Sequence, residues 1–133
     1  MSLLIKICGL STEESVDAAV DAGADMLGLN FHPRSPRYVT PERAAMLALL
    51  AHGRTQIVAL LVDPDDATLS HLLSTLSPDL WQFHGQESFE RVRDARAVFG
   101  LPAMKAIGVS TISDLAAVPA YSAVSDHILL DAK

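Results

Sequence analysis

Apolar runs alternate with helix-start signals along this chain, and that alternation constrains the fold more than any other feature. The runs are Leu3 to Cys8, Met26 to Phe31, Gln56 to Val62, Leu80 to Phe83, Ala103 to Gly108 and His127 to Leu130. In the third, Ile57, Val58, Leu60, Leu61 and Val62 leave no polar face, as suits a strand covered by helices on one side and buried on the other. Ser11 or Thr12 caps a first helix with Glu13 and Glu14 in its opening turn, Val16, Ala19 and Val20 as its apolar stripe and Gly23 as its stop. Thr40-Pro41-Glu42 opens a second, running to about His52. The third follows Asp63-Pro64-Asp65-Asp66 and sets Leu69, Leu72, Leu73 and Leu76 at helical spacing. A fourth, Ser88 to Phe99, is expected to bury Phe89, Val92 and Phe99 and to pair Glu87 with Arg91. Thr111 to Val118 reads as a short fifth.

Six strands alternating with five helices imply a parallel sheet with right-handed crossovers. The architectures for that are an open doubly wound sheet and a closed barrel. No Gly-x-Gly-x-x-Gly follows the first strand, which weakens the dinucleotide-binding form of the open sheet. A (β/α)8 TIM barrel needs eight strands and typically about 250 residues. Residues 1–133 are therefore expected to be the amino-terminal part of a single barrel domain, strands one to six and helices one to five.

Composition narrows the partners. Ten basic residues stand against 16 acidic ones with no basic cluster, which argues against nucleic acid. The longest apolar run, Ala44 to Ala51, is far short of the roughly 20 residues of a membrane span. A single cysteine fits a reducing, cytoplasmic setting, and the scattered histidines show no metal-ligand spacing.

Residues at the carboxyl ends of the strands are the candidates for chemistry, because parallel α/β folds place their sites there. Cys8 closes the first strand in Lys6-Ile7-Cys8-Gly9-Leu10, beside a glycine turn and ahead of a helix amino terminus. A lone cysteine is often only a small buried hydrophobe, but such a setting favours a thiolate able to act as a base. Asp131 closes the sixth strand. It either caps a following helix or stands as a partly desolvated acid at the mouth of the barrel. Arg37, on a loop stiffened by Pro33 and Pro36, is either a solvated arginine or a clamp for carboxylate or phosphate. His84 is a structural histidine, a substrate contact or a proton carrier. Asn30, Gln82 and Asp63 share the same level as weaker candidates. Lys6 and Lys105 lie within strands, where a Schiff-base role has no support.

Lys6-Ile7-Cys8-Gly9-Leu10, Gly28-Leu29-Asn30-Phe31 leading to Ser35-Pro36-Arg37-Tyr38-Val39, Gln82-Phe83-His84-Gly85-Gln86-Glu87 and Leu129-Leu130-Asp131 together resemble, in order and along the whole chain, the N-(5′-phosphoribosyl)anthranilate isomerase family of tryptophan biosynthesis. Phe83, where an aliphatic residue is common, is a small departure. The resemblance implies an Amadori rearrangement on a (β/α)8 barrel without cofactor or metal. It implies Asp131 as general acid on the ribose ring oxygen and Cys8 as general base at C2′. Arg37 would hold the anthranilate carboxylate, with His84 and Asn30 lining the substrate site. The partner it implies is a phosphorylated small molecule, the protein being a monomer or small homo-oligomer. The family's phosphate grip follows strands seven and eight, so these 133 residues alone are expected to be inactive. Two other readings stay open: another phosphosugar barrel isomerase, and a non-catalytic fragment or assembly module whose strand edges pair with another chain.

Overall fold

The computed structural model describes residues 2–51 and 53–133, leaving His52, the expected end of the second helix, outside the described residues. Six parallel strands form one sheet in the order β1-β2-β3-β4-β5-β6. They are β1 (Lys6–Cys8), β2 (Met26–Asn30), β3 (Gln56–Leu61), β4 (Leu80–Phe83), β5 (Ala103–Val109) and β6 (His127–Ala132). Between them run α1 (Glu13–Asp21), α2 (Pro41–Ala51), α3 (Asp66–Thr75) and α4 (Phe89–Phe99), and then a 3₁₀ turn (Ile112–Ala117) that leads into α5 (Val118–Ser122). Neighbours in sequence are neighbours in the sheet, the connectivity of a barrel wall rather than of a doubly wound sheet.

Local chemistry sets the helix starts. Thr12, Asp65 and Ser88 each accept a hydrogen bond from the backbone N–H three residues on, at 3.1, 2.8 and 3.1 Å, and Thr40 does the same for Arg43 at 3.1 Å. α4 ends on Gly100, whose φ of 67° lets its N–H turn back to the Arg96 carbonyl.

The register divides every strand into two faces. Leu27, Leu29, Ile57, Ala59, Leu61, Trp81, Phe83 and Ala103 pack outward against Val16, Val20, Ala44, Leu47, Leu69, Leu72, Val92 and Ala95 of the helices. The alternate residues Met26, Val58, Leu80 and Met104, with Leu129 against them, form a second cluster on the inner face. Most of the apolar burial is therefore outside the sheet, and the strand-end residues of inner parity are left for other work.

Three aspartates hold the amino-terminal end of the sheet. Asp25, Asp79 and Asp126 stand just ahead of β2, β4 and β6, and each accepts the backbone N–H of the preceding odd-numbered strand or its approach. The donors are Ile5 at 2.8 Å, Ile57 at 2.7 Å and Ala103 at 2.9 Å. The fold thus repeats in two-strand units, each closed by one carboxylate.

Several local expectations change. Phe89 is exposed rather than buried, because it opens α4 on the side it shares with Arg93 and Arg96, away from the Val92 and Ala95 stripe. Glu87 precedes the helix cap Ser88, so it has no helical spacing to Arg91. That arginine instead reaches Asp66 at 2.6 Å and the Pro64 carbonyl at 2.9 Å. The expected fifth helix is tighter at its start, with the α-helical turns beginning only at Val118, where Pro119 is tolerated in the first turn. β6 continues past Leu130, so Asp131 lies within the strand, opposite Gly108.

Candidate active site

Cys8, Asn30, Gln82, His84 and Asp131 all have the inner parity, by the registers Cys8↔Gly28, Asn30↔Leu60, Leu60↔Gln82 and Gly108↔Asp131. Five of the residues singled out from the sequence therefore share one face at one end of the sheet. Lys6 shares it too. A Cβ added to Gly28 would stand 2.9 Å from Cys8 Sγ and 3.1 Å from Lys6 Nζ, so the thiol and the ammonium both project over that glycine. The space a side chain at position 28 would fill is the space the thiol occupies.

Arg37 reaches the same place from the loop after β2. Its side chain lies across Gly9, whose φ of 79° favours glycine and where a Cβ would collide with Arg37 Cδ. The loop is held by Ser35, whose hydroxyl accepts the Arg37 N–H at 3.1 Å and the Asn30 amide at 3.2 Å, while Asn30 Oδ1 accepts the His32 N–H at 2.8 Å. Both ends of the Asn30 amide are thus spent on the loop that carries Arg37. Its work in this structure is to shape that loop.

On the far side of the same face a chain of hydrogen bonds runs from β4 to β6. Gln82 Nε2 is 3.0 Å from His84 Nδ1, and His84 Nε2 is 3.2 Å from Asp131 Oδ2. With the amide donating to Nδ1, the imidazole carries its proton on Nε2 and donates it to the Asp131 carboxylate. The Asp131 side chain lies on the edge strand of the described sheet, and its hydrogen-bond partner is a histidine.

Behind this face, on the helix side, lies a network that the sequence did not disclose. Lys105 Nζ bonds Glu87 Oε1 at 2.9 Å and the Gly85 carbonyl at 2.8 Å, with both side chains almost fully buried. Glu87 also accepts the N–H groups of Asp63 at 2.8 Å and Gly85 at 2.9 Å, and the Tyr121 hydroxyl donates to the Glu87 carbonyl at 2.6 Å. The ammonium stands 5.4 Å from the centre of the Tyr121 ring. Burial, then the nearby Glu87 and Glu90, pushes the Tyr121 phenol up from its usual pKa. Asp63 has a φ of 46°, a conformation costly for a residue other than glycine, and the Glu87 carboxylate holds it there. Lys105 is accordingly a locked structural cation rather than a free amine. The available signal was its outward parity on β5 together with an acid three residues past the histidine that follows β4.

The roomier depressions lie elsewhere. One of about 550 Å³, lined by Asp25, Thr55 and Asp79 among others, opens at the amino-terminal end of the sheet. Another of about 570 Å³ lies outside it, between Tyr38, Pro64 and His71. Neither includes the inner strand-end residues.

The family model described as N-(5′-phosphoribosyl)anthranilate (PRA) isomerase matches residues 5–133. The chain belongs to that family. Similar proteins carrying that isomerase name include one from Bradyrhizobium sp. (strain ORS 278), 54% identical over all of this chain and 61% of its own length. Another, from Nitrobacter hamburgensis, is 52% identical over 99% of this chain and 59% of its own length. The phosphoribosyl anthranilate isomerase of Thermotoga maritima superposes with a TM-score of 0.91 at 30% identity, covering 99% of this chain and 62% of that one. So does a PRAI solved in complex with reduced 1-(o-carboxyphenylamino)-1-deoxyribulose 5-phosphate, with a TM-score of 0.91 at 29% identity, covering 99% and 66%. The chain thus spans about three fifths of the length of the curated relatives it matches. Within the isomerase family fold, the described part is an α/β half-barrel of six parallel strands.

Proposed function

We propose that this sequence supplies the first six strands, and the acid and base, of a phosphoribosylanthranilate isomerase built as a complete (β/α)8 barrel and working in the cytoplasm. The observation that carries the reading is the convergence of Cys8, Arg37 and the His84–Asp131 pair on the carboxyl end of one sheet face. The reaction is then an internal redox exchange within one molecule. Asp131 gives a proton to the ribose ring oxygen, the C1′–O bond breaks, and the anthranilate nitrogen lone pair forms an iminium at C1′. Cys8, as thiolate, removes the proton from C2′, and those electrons make the C1′–C2′ double bond of an enolamine. Protonation at C1′ and loss of the C2′ hydroxyl proton give the ketone, 1-(2-carboxyphenylamino)-1-deoxyribulose 5-phosphate. Arg37, draped over Gly9 beside the base, is placed to hold the anthranilate carboxylate as a fork. The phosphate is held by loops after two further strands, whose pairing also covers the exposed Leu4, Ile5 and Ile7 at the β1 edge and Leu130 on β6.

The test uses the complete polypeptide carrying this sequence and follows the fluorescence decay of phosphoribosylanthranilate. Turnover is expected, and Arg37→Ala is expected to raise KM about tenfold or more, the worth of a charge-assisted bidentate contact. Absence of turnover by the folded complete protein refutes the assignment. Turnover with an Arg37→Ala KM unchanged moves the carboxylate elsewhere and favours a phosphosugar isomerase with a different head-group specificity.

A further inference from the structure

Gln82 is 1% exposed, and its Oε1 is buried with no hydrogen-bond partner among the described residues, while its Nε2 lies 3.0 Å from His84 Nδ1. A buried carbonyl left bare costs about 1–3 kcal/mol, so the arrangement needs a reason. The reason lies in the symmetry of a carboxamide. Half a turn about its last bond exchanges NH2 for C=O at Nδ1, and the two orientations admit different protonation states of the same imidazole. With NH2 toward Nδ1, that nitrogen has to be a bare acceptor, and a ring proton can sit only on Nε2. With C=O toward Nδ1, that nitrogen has to carry a proton, Oε1 is satisfied while the Gln82 NH2 takes its bare place, and His84 Nε2 is free to hold a second proton against Asp131 Oδ2, 3.2 Å away.

We infer that Gln82, His84 and Asp131 form a proton relay in which the Gln82 amide selects whether His84 is loaded, and that the relay reprotonates Asp131 after each turnover. This rests on the role of Asp131 given under Proposed function. In the loaded form His84 is an imidazolium, donating Nδ1–H to Gln82 Oε1 and Nε2–H to the Asp131 carboxylate. Transfer of the Nε2 proton to Oδ2 makes the carboxylic acid, which gives its proton to the substrate ring oxygen. What remains is an imidazole protonated on Nδ1 facing a carboxylate, and one proton from solvent on Nε2 restores the start. Within residues 1–133 the His84 side chain is 32% exposed and Gln82 1%, so of the two it is His84 that takes up the solvent proton. The ring-opening proton stays in the product as a hydroxyl and leaves Asp131 ionised; the isomerisation as a whole is proton-neutral, since C1′ gains one proton while C2′ and its hydroxyl each lose one, and what the relay restores is the proton on Asp131.

The charged groups around His84 do not mask the effect. Asp131 faces it from β6. Asp63, from the loop after β3, accepts the Gln86 N–H at 2.8 Å, and Glu87 is matched by Lys105 behind the strand. Lys133, next to Gly108, has its ammonium on Asp114 at 3.2 Å. Gln82 and His84 are positioning residues here, since they act through Asp131.

The experiment compares Gln82→Glu, Gln82→Leu and His84→Gln with wild type in the complete polypeptide. Nitrogen-15 NMR of the His84 ring is read across pH, together with kcat and KM for phosphoribosylanthranilate. Urea unfolding selects variants that remain folded at assay conditions. In wild type the neutral ring is expected as the Nε2–H tautomer. Gln82→Glu, a permanent acceptor at Nδ1, is expected to keep the imidazolium to a pH about one unit higher. Gln82→Leu is expected to shift that titration downward and to populate both tautomers. In His84→Gln kcat is expected to fall tenfold or more with KM within about twofold, and the acid limb of the pH profile to move. A His84 titration and tautomer that ignore both Gln82 changes overturn the relay, as does a folded His84→Gln with unchanged kcat. If the Gln82 changes move the His84 signals while wild type turns over no substrate, the coupling stands and the isomerase assignment fails.

Discussion

The two faces of the sheet meet at the ends of the same strands and are built on opposite principles. On the outer face the buried Lys105 and Glu87 pair with each other and are tied to Gly85, Asp63 and Tyr121, which lie nearer the surface. On the inner face one strand position away, Gln82, His84 and Asp131 form an open line that ends in an exposed carboxylate and begins with an unsatisfied carbonyl. Parity alone separates them: Phe83 and Lys105 point out, Gln82 and His84 point in. A buried ion pair that is also bonded to the backbone of Gly85 and Asp63 has one geometry, and the loop after β4 inherits it. A solvent-facing chain with a spare acceptor has more than one. The outer network holds the β4 end in one geometry, which is what the relay proposed for the inner face requires.

The contrast is broken most sharply by removing the outer cation. Lys105→Met leaves Glu87 as a buried anion without its partner, which costs about 3–5 kcal/mol. Urea unfolding is expected to show that loss, and a cost under about 1 kcal/mol would mean that the pair is solvated and does not fix the loop. Asp79→Ala probes the other end of the same strands. It removes a 2.7 Å charge-assisted bond to Ile57 N–H and is expected to cost about 1.5–3 kcal/mol in unfolding free energy, with little change at the inner strand ends.

The smallest effect concerns the turn after β5. Asp114 accepts the N–H groups of Ser110 and Thr111, at 2.8 and 3.1 Å, and these bonds, with Lys133, hold its carboxyl well below the usual carboxylate range. A depressed folded pKa means that the turn is supported at all pH values above the ordinary carboxylate pKa and loses that support only as pH falls through the lower folded value. The Ser110 amide resonance is expected to stay put from neutral pH down through the ordinary carboxylate range and to move only in stronger acid. Movement at the ordinary pKa would show that these bonds do not form in solution.

What was legible in the sequence follows the same division. The six strands and the helix starts could be read because caps and apolar periods are local, and the strand-end placement of Cys8, His84 and Asp131 could be read because they stand where apolar runs end, with Arg37 on the proline-stiffened loop. The partners of Glu87 could not. The i, i+4 rule offered Arg91, but Glu87 lies before the helix and turns toward a lysine 18 positions away on the next strand. Asp25, Asp79 and Asp126 look like ordinary loop carboxylates until register brings each to an amide at least 20 positions back. Gly28 shows no turn signal; its reason is the thiol and ammonium lying over it.

The most direct test of inner-face chemistry on an outer-face scaffold is Asp131→Asn in the complete polypeptide, assayed for phosphoribosylanthranilate turnover and unfolded in urea on the same preparation, with Cys8→Ser alongside. Each change is expected to lower kcat by about 10²- to 10⁴-fold while the urea midpoint stays within error of wild type. A folded Asp131→Asn protein that keeps its turnover, or one whose lost activity tracks lost stability, would contradict that expectation.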